Sequence, residues 1–151
     1  MRIYLNLSAW NRPFDDWSEE KIIREAKAVI SLLERNEAVI IASEFAIAMI
    51  KEIRNGVKYK HVSSLIRGYS DEIVEEKEEQ LNLAERLQKD CKLSKLEDSI
   101  HIVLAGFGNA DYFVTTDSEI IKKRGCIERY LVAKGYKLKV VNPLDLGGEI
   151  R

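Results

Sequence analysis

The sequence predicts an α/β fold: a central parallel sheet covered by helices on both faces, three layers in all. Three observations carry this prediction. Short apolar, β-rich segments recur along the chain, amphipathic stretches with helical spacing separate them, and no internal repeat, low-complexity tract or linker interrupts the series. At 151 residues, one domain with a real core is expected.

Arg2 to Leu7 (RIYLNL) is the first strand, apolar enough to be buried. A loop follows through Asn11-Arg12-Pro13-Phe14-Asp15-Asp16. Asp16 and Glu19 have capping-box spacing, so a helix should start there. Its apolar positions Ile22, Ile23, Ala26, Val29, Ile30 and Leu33 recur at helical intervals, and Asn36 ends it. Ala38 to Ala42 (AVIIA) is a second buried strand. Ser43 caps a helix reaching about Arg54, broken by Asn55-Gly56. A short helical piece spans Val62 to Ile66 and stops at Gly68; Ser70 then caps a charged helix to about Asp90. Ser94 and Glu97 form another capping box, opening a helix with the stripe Ile100, Val103, Leu104 and Phe107, closed by Gly108-Asn109. Tyr112 to Thr115 (YFVT) is the third strand, Asp117 to about Ala133 is mostly helical, and Lys137 to Val141 (KLKVV) is the fourth strand.

Composition narrows the partners. The hydrophobic fraction of 46% and charged fraction of 32% are those of a water-soluble globular chain. A net charge of -1 gives no global field toward nucleic acid or membrane. Locally, Lys51 to Arg67 and Lys122 to Lys139 are mostly basic and Asp71 to Glu85 mostly acidic, patterns that usually mean solvated faces. Cys91 and Cys126 are far apart without CxxC spacing, which argues against a disulfide framework or zinc site and for a reducing cytoplasm. No segment approaches the roughly 18 consecutive apolar residues of a membrane helix, and no basic, apolar leader opens the chain. A cytoplasmic protein is expected.

Ligands of open parallel sheets bind beyond the carboxyl ends of the strands. Asn6 lies at the end of the first strand, and Asp117 directly follows the third in Thr115-Thr116-Asp117. Asp98 stands in the first turn of the preceding helix, near its positive end. Each residue has an ordinary reading: Asp98 as a dipole residue, Asp117 as a helix start, Asn6 as a turn former. Their convergence on one mouth of the sheet is what suggests a site for Mg²⁺ or Mn²⁺, hard cations that take oxygen ligands.

The opening Ile3-Tyr4-Leu5-Asn6-Leu7-Ser8, with Asn11-Arg12-Pro13-Phe14-Asp15-Asp16, resembles the start of a PIN domain. So does the second half: Asp98-Ser99-Ile100-His101, Ala105, Ala110-Asp111-Tyr112-Phe113-Val114-Thr115-Thr116-Asp117, and the ending Val140-Val141-Asn142-Pro143-Leu144. The resemblance spans essentially the whole chain, with Gly56 to Leu93 generic. It implies a three-layer α/β/α PIN-like fold with a central parallel sheet. It further implies an acidic pocket for Mg²⁺ or Mn²⁺, hydrolysis of an RNA phosphodiester, and the role of a toxin with an antitoxin protein as partner. Homodimerisation through helices is implied as well. Asp98 and Asp117 match two of the family's acids, and Thr115 or Thr116 its supporting hydroxyl.

Two positions depart from the pattern. The family's first Asp is Asn6, whose amide oxygen can coordinate but brings no charge. The acid expected on the helix after the second strand falls on Met49; Glu52, about one turn on, could replace it, and Glu44 is a poorer candidate. Met49 also fits an ordinary core stripe with Ala46, Ile50 and Ile53. Arg12 is a candidate phosphate contact. His101, one turn after Asp98, could touch a phosphate or the acid, although a histidine there more often packs beside the sheet. His61 should be exposed in a basic loop, Asp111 structural, and Trp10, Phe14 and Trp17 packing groups, with base stacking conceivable. Two readings therefore stand: a metal-dependent endoribonuclease with a weakened site, or an inactive PIN-like module that binds RNA or protein. A nucleotide-binding domain is disfavoured, because neither GxGxxG nor GxxxxGK[ST] occurs.

Overall fold

The computed structural model describes residues 1–149. Five parallel strands form one sheet: β1 (Arg2–Leu5), β2 (Val39–Ser43), β3 (Glu72–Val74), β4 (Tyr112–Val114) and β5 (Lys139–Val141), in the order β3-β2-β1-β4-β5. The registers pair Ile3 with Ile40 and Tyr112, Ile41 with Glu72, and Phe113 with Val140.

Strand alternation divides the core between two faces. Ile3, Leu5, Ile40, Ala42, Val114 and Val141 point to one side. They pack against α1 (Leu7–Asn11), α2 (Glu20–Arg35), α4 (Gly56–Tyr69) and α9 (Pro143–Glu149) through Trp10, Val29, Leu33, Val62, Ile66 and Leu146. Tyr4, Ile41, Phe113 and Val140 point to the other side. They meet α5 (Glu78–Cys91), α6 (Leu96–Phe107), α7 (Ser118–Lys122) and α8 (Arg124–Ala133). Between β2 and α4 run α3 (Glu44–Met49) and a 3-10 turn (Ile50–Glu52). Helix α6 is buried from Ser99 to Gly106, and its end presses on the sheet: a Cβ on Gly108 would lie 2.9 Å from Val74 Cγ2 and 3.3 Å from Ile41 Cγ2. The three-layer expectation is the architecture found.

Several local expectations need correction. Strand β3 was missed because its three residues are mostly exposed at the sheet edge and carry a charge, so no apolar run marks them. Ser70 does not cap a helix start; it ends α4, whose 14 residues replace the short piece expected at Val62 to Ile66 and run through Gly68. Asn55 opens α4 rather than only breaking a helix, its side chain accepting from the Val57 and Lys58 amides. The Asp16–Glu19 capping box is absent, since α2 begins at Glu20. The Ser94–Glu97 box is absent too: Ser94 gives both its amide and hydroxyl to Glu119 at 2.9 Å, tying the α5–α6 connection to α7. The loop after β1 is helical in α1 and in a 3-10 turn at Arg12–Phe14, and α9 follows β5 unannounced. His61 is exposed as expected, but on α4, where its ring stacks on Phe14 at 5.2 Å.

Cys91 and Cys126 form a disulfide, which overturns the expectation drawn from their spacing. They are 35 residues apart without a motif, yet α5 and α8 pack on the same face and bring their Cα atoms to 5.8 Å. The pair therefore no longer argues for a reducing compartment. Among the described residues, no helix is long and apolar enough to cross a membrane.

Candidate functional site

The chain runs from β1 outward to β2 and β3, then returns to lay β4 on the other side of β1. That reversal leaves a crevice at the carboxyl ends of β1 and β4, where open α/β sheets place ligands. A cleft of about 530 Å³ opens there, lined by Asn6, Ser8, Asn11, Met49, Glu52, Lys95, Glu97, Asp98, His101 and Asp117 among others.

Asn6 follows β1, and its amide N–H donates to Val114 O at 2.9 Å, extending the ladder by one residue. Its side chain helps to orient the mouth. The carbonyl accepts from the Leu7 amide at 2.9 Å, and the NH₂ group donates to Thr115 Oγ1 at 3.0 Å. Thr115 Oγ1 also accepts from the Asp117 amide at 3.1 Å and lies 3.2 Å from Ser8 Oγ. Ser8 Oγ accepts from the Thr116 amide at 3.1 Å. Thr115 and Thr116 are both buried and sit behind the acids. Asp117 caps α7 with Oδ1, which accepts from the Glu119 amide at 2.9 Å.

Asp98 faces the same cleft from the first turn of α6. Its Oδ2 is buried without a partner in the protein. Burial, and then the charge of Asp117, push its pKa up from 3.8 to about 6. Helix α6 thus presents a carboxylate under repulsion, the electrostatic condition that a bound cation relieves.

Glu52 and Met49 line the wall contributed by α3 and the turn after it, with Glu52 exposed. Glu44 is exposed and is not among the lining residues. Arg12 is drawn elsewhere: it bonds Asp15 Oδ2 at 3.1 Å and lies 3.4 Å from the buried Glu25, whose other oxygen accepts from Asn142 Nδ2 at 2.5 Å. Asp111 accepts from the Arg2 amide at the opposite end of the sheet. Trp10 is fully buried as packing, while Trp17 is 43% exposed.

Sequence reasoning overlooked five lining positions: Leu7, Ser8, Asn11, Lys95 and Glu97. Ser8 was legible as the hydroxyl two residues past the strand-end amide. Lys95 and Glu97 precede Asp98; Lys95 carried no signal of its own, and Glu97 only that of a capping residue.

The chemistry of the donors at this mouth, two carboxylates and an amide oxygen, is of the kind that hard divalent cations take. Mg²⁺ commonly keeps several waters and needs only one or two carboxylates from the protein, and Asp98 with Asp117 supplies two. The Asn6 oxygen has a lone pair left after Leu7, but no charge. Among the described residues, no three His, Cys, Asp or Glu side chains come together as a metal-binding group.

No family model and no curated protein sequence matches the chain. Solved structures do. The structure of FitAB bound to an IR36 DNA fragment is 16% identical, with a TM-score of 0.53 over 93% of this chain and 94% of that one. FitAcB from Neisseria gonorrhoeae is 13% identical, with a TM-score of 0.57 over 94% of this chain and 98% of that one. At these identities the likeness establishes the fold, and it is the PIN-like fold that the sequence resembles.

Proposed function

We propose that this chain is a toxin-type PIN-like domain whose cleft holds a divalent cation between Asp98 and Asp117 and hydrolyses RNA phosphodiesters at a weakened site. The observation that carries the reading is the buried, unpartnered Oδ2 of Asp98, held beside the charge of Asp117 at the switch point of the sheet. Mg²⁺ or Mn²⁺, when bound, supplies charge neutralisation at the phosphate and activation of water. Everything else falls to the chain. Asp98 and Asp117 provide the anionic oxygens. Thr115 and Ser8 lock the turn that aims Asp117, through the hydrogen bonds to the Asp117 and Thr116 amides. Glu52 adds negative charge at the rim, and Lys95 supplies a cation at the same opening for the RNA backbone. Likeness to FitAB and FitAcB supports an antitoxin-like protein partner for this chain, and pairing with a second copy belongs to the same reading.

The second reading is a module that binds RNA or protein without cutting. Asn6 and Met49 favour it, since each stands where the family pattern has an acid. Titrating Mn²⁺ and Mg²⁺ while following cleavage of mixed single-stranded RNA separates the two, with Asp98→Asn and Asn6→Asp alongside. Cleavage by the native chain, lost in Asp98→Asn, supports the nuclease. A silent native chain with an active Asn6→Asp variant means a site disabled by one missing charge. Silence in all three favours the binding module.

A further inference from the structure

The floor of the cleft carries a polar group that the cation site does not use. His101 lines the cleft from α6, one turn beyond Asp98, and is only 2% exposed. Its Nδ1 lies 2.8 Å from the Tyr4 hydroxyl, which lies 2.7 Å from Ser43 Oγ. Tilted contacts with Phe45 at 5.0 Å and Tyr4 at 6.0 Å fix the ring.

The direction of this chain follows from its far end. Ser43 Oγ accepts the Ala46 amide at 3.0 Å, so that bond has a fixed donor. If Ser43 then donates to Tyr4 and Tyr4 to Nδ1, every hydroxyl hydrogen has an acceptor, and the imidazole proton stands on Nε2. The reverse order leaves the Ser43 hydrogen without an acceptor among these groups, which a buried hydroxyl disfavours. Burial also lowers the His101 pKa to about 4, so the ring is neutral. Nε2 is buried and has no partner in the protein. Two other buried atoms without partners, Asp98 Oδ2 and Asn11 Oδ1, belong to residues lining the same cleft. Four further unpartnered buried atoms among the described residues, on Trp10, Arg12, Ser70 and Ser99, belong to residues outside the cleft lining; the three on Asn11, Asp98 and His101 share one opening, where a single ligand can meet them together.

We propose that Ser43 and Tyr4 hold His101 as its Nε2–H tautomer, so that the cleft floor offers a neutral donor to a non-bridging oxygen of a bound phosphodiester. This rests on reading the cleft as a nucleic-acid site. A neutral donor suits the place, because an imidazolium would repel a cation held by the neighbouring acids. Since Nε2 is covered in this structure, ligand entry moves a side chain at the floor.

The test is NMR of protein labelled with ¹⁵N in its histidine rings, recorded free and then with a mixed single-stranded RNA and Ca²⁺. Only His61 and His101 contribute signals, and His61 is exposed on α4. The expected result is a His101 ring protonated at Nε2, mixed tautomers in Tyr4→Phe, and a shift of the Nε2 proton when RNA binds. His101→Asn should weaken RNA binding about tenfold, the worth of one hydrogen bond to a charged group. His101→Gln, whose amide reaches toward the Nε2 position, should retain most of it. A proton on Nδ1 in the native chain, or RNA binding without a shift at His101, overturns the inference alone. RNA that does not bind at all sinks the nucleic-acid reading of the cleft, and the phosphate contact with it.

Discussion

Replacing Asp98 with Asn should make the metal-free protein more stable at neutral pH and leave it unchanged in acid. Asp98 titrates at about 6 in the folded chain, against 3.8 ordinarily. A raised carboxylate pKa means that the native state holds its proton more tightly than the unfolded state. The stability this confers is fully present below pH 3.8 and is lost as pH rises through about 6. The difference corresponds to about 3 kcal/mol; because Asp98 keeps some contact with solvent, screening reduces it to about 1–2 kcal/mol. The amide variant carries no charge to lose. Its melting temperature at pH 7.5 should therefore exceed that of the native chain by roughly 3–6 °C, and the two should converge near pH 4. Urea unfolding at both pH values, in chelator, measures this directly. Adding Mn²⁺ should then reverse the order: at 100-fold over Kd it stabilises the native chain by about 2.7 kcal/mol, and the variant little. An advantage for Asp98→Asn that is equal at both pH values would refute the argument, because it could not come from ionisation.

The same acids predict that Mn²⁺ affinity, followed by calorimetry, falls as pH drops from 7.5 through 6, where protons compete for Asp98. Asn6→Asp restores a third carboxylate while keeping an acceptor for the Leu7 amide; Mn²⁺ binding should tighten by about tenfold or more, and an unchanged Kd would place residue 6 outside the metal site. Reducing Cys91–Cys126, or changing Cys126 to Ser, frees a loop of 35 residues; the expected loss of stability is about 3–4 kcal/mol, read as a lower urea midpoint. Gly108→Ala drives a Cβ to 2.9 Å from Val74 Cγ2. It should cost about 1–3 kcal/mol, and wild-type stability would mean that β3 yields freely.

The buried parts of this fold were legible because burial writes itself into sequence. Four strands read as largely apolar runs, since parallel strands covered on both faces leave few positions for a polar side chain away from their ends. Helix α6 announced itself the same way, whereas the strand order that sets a switch point between β1 and β4 came from the structure. Asn6, Asp98 and Asp117 could be nominated from their places at strand and helix ends, and the structure gathers all three in one cleft with Glu52 and His101. Capping boxes misled at Asp16 and Ser94, where the side chains have other partners or none that cap, because a short polar spacing occurs by chance more often than an apolar stripe.

Sequence by itself therefore determined four of the five strands, which strand and helix ends carry acids and which expected acids are missing. Tertiary structure alone decided the rest. It set a charged edge strand beside β2, joined two cysteines through helices that share a face, and turned Arg12 from the cleft toward Glu25. It also linked Ser43, Tyr4 and His101 across three elements. The physical reason is range. Apolar periodicity is local and repeats along the chain, whereas a hydrogen bond or disulfide between distant residues depends on one pair of atoms, and nothing in either residue's neighbourhood records its partner.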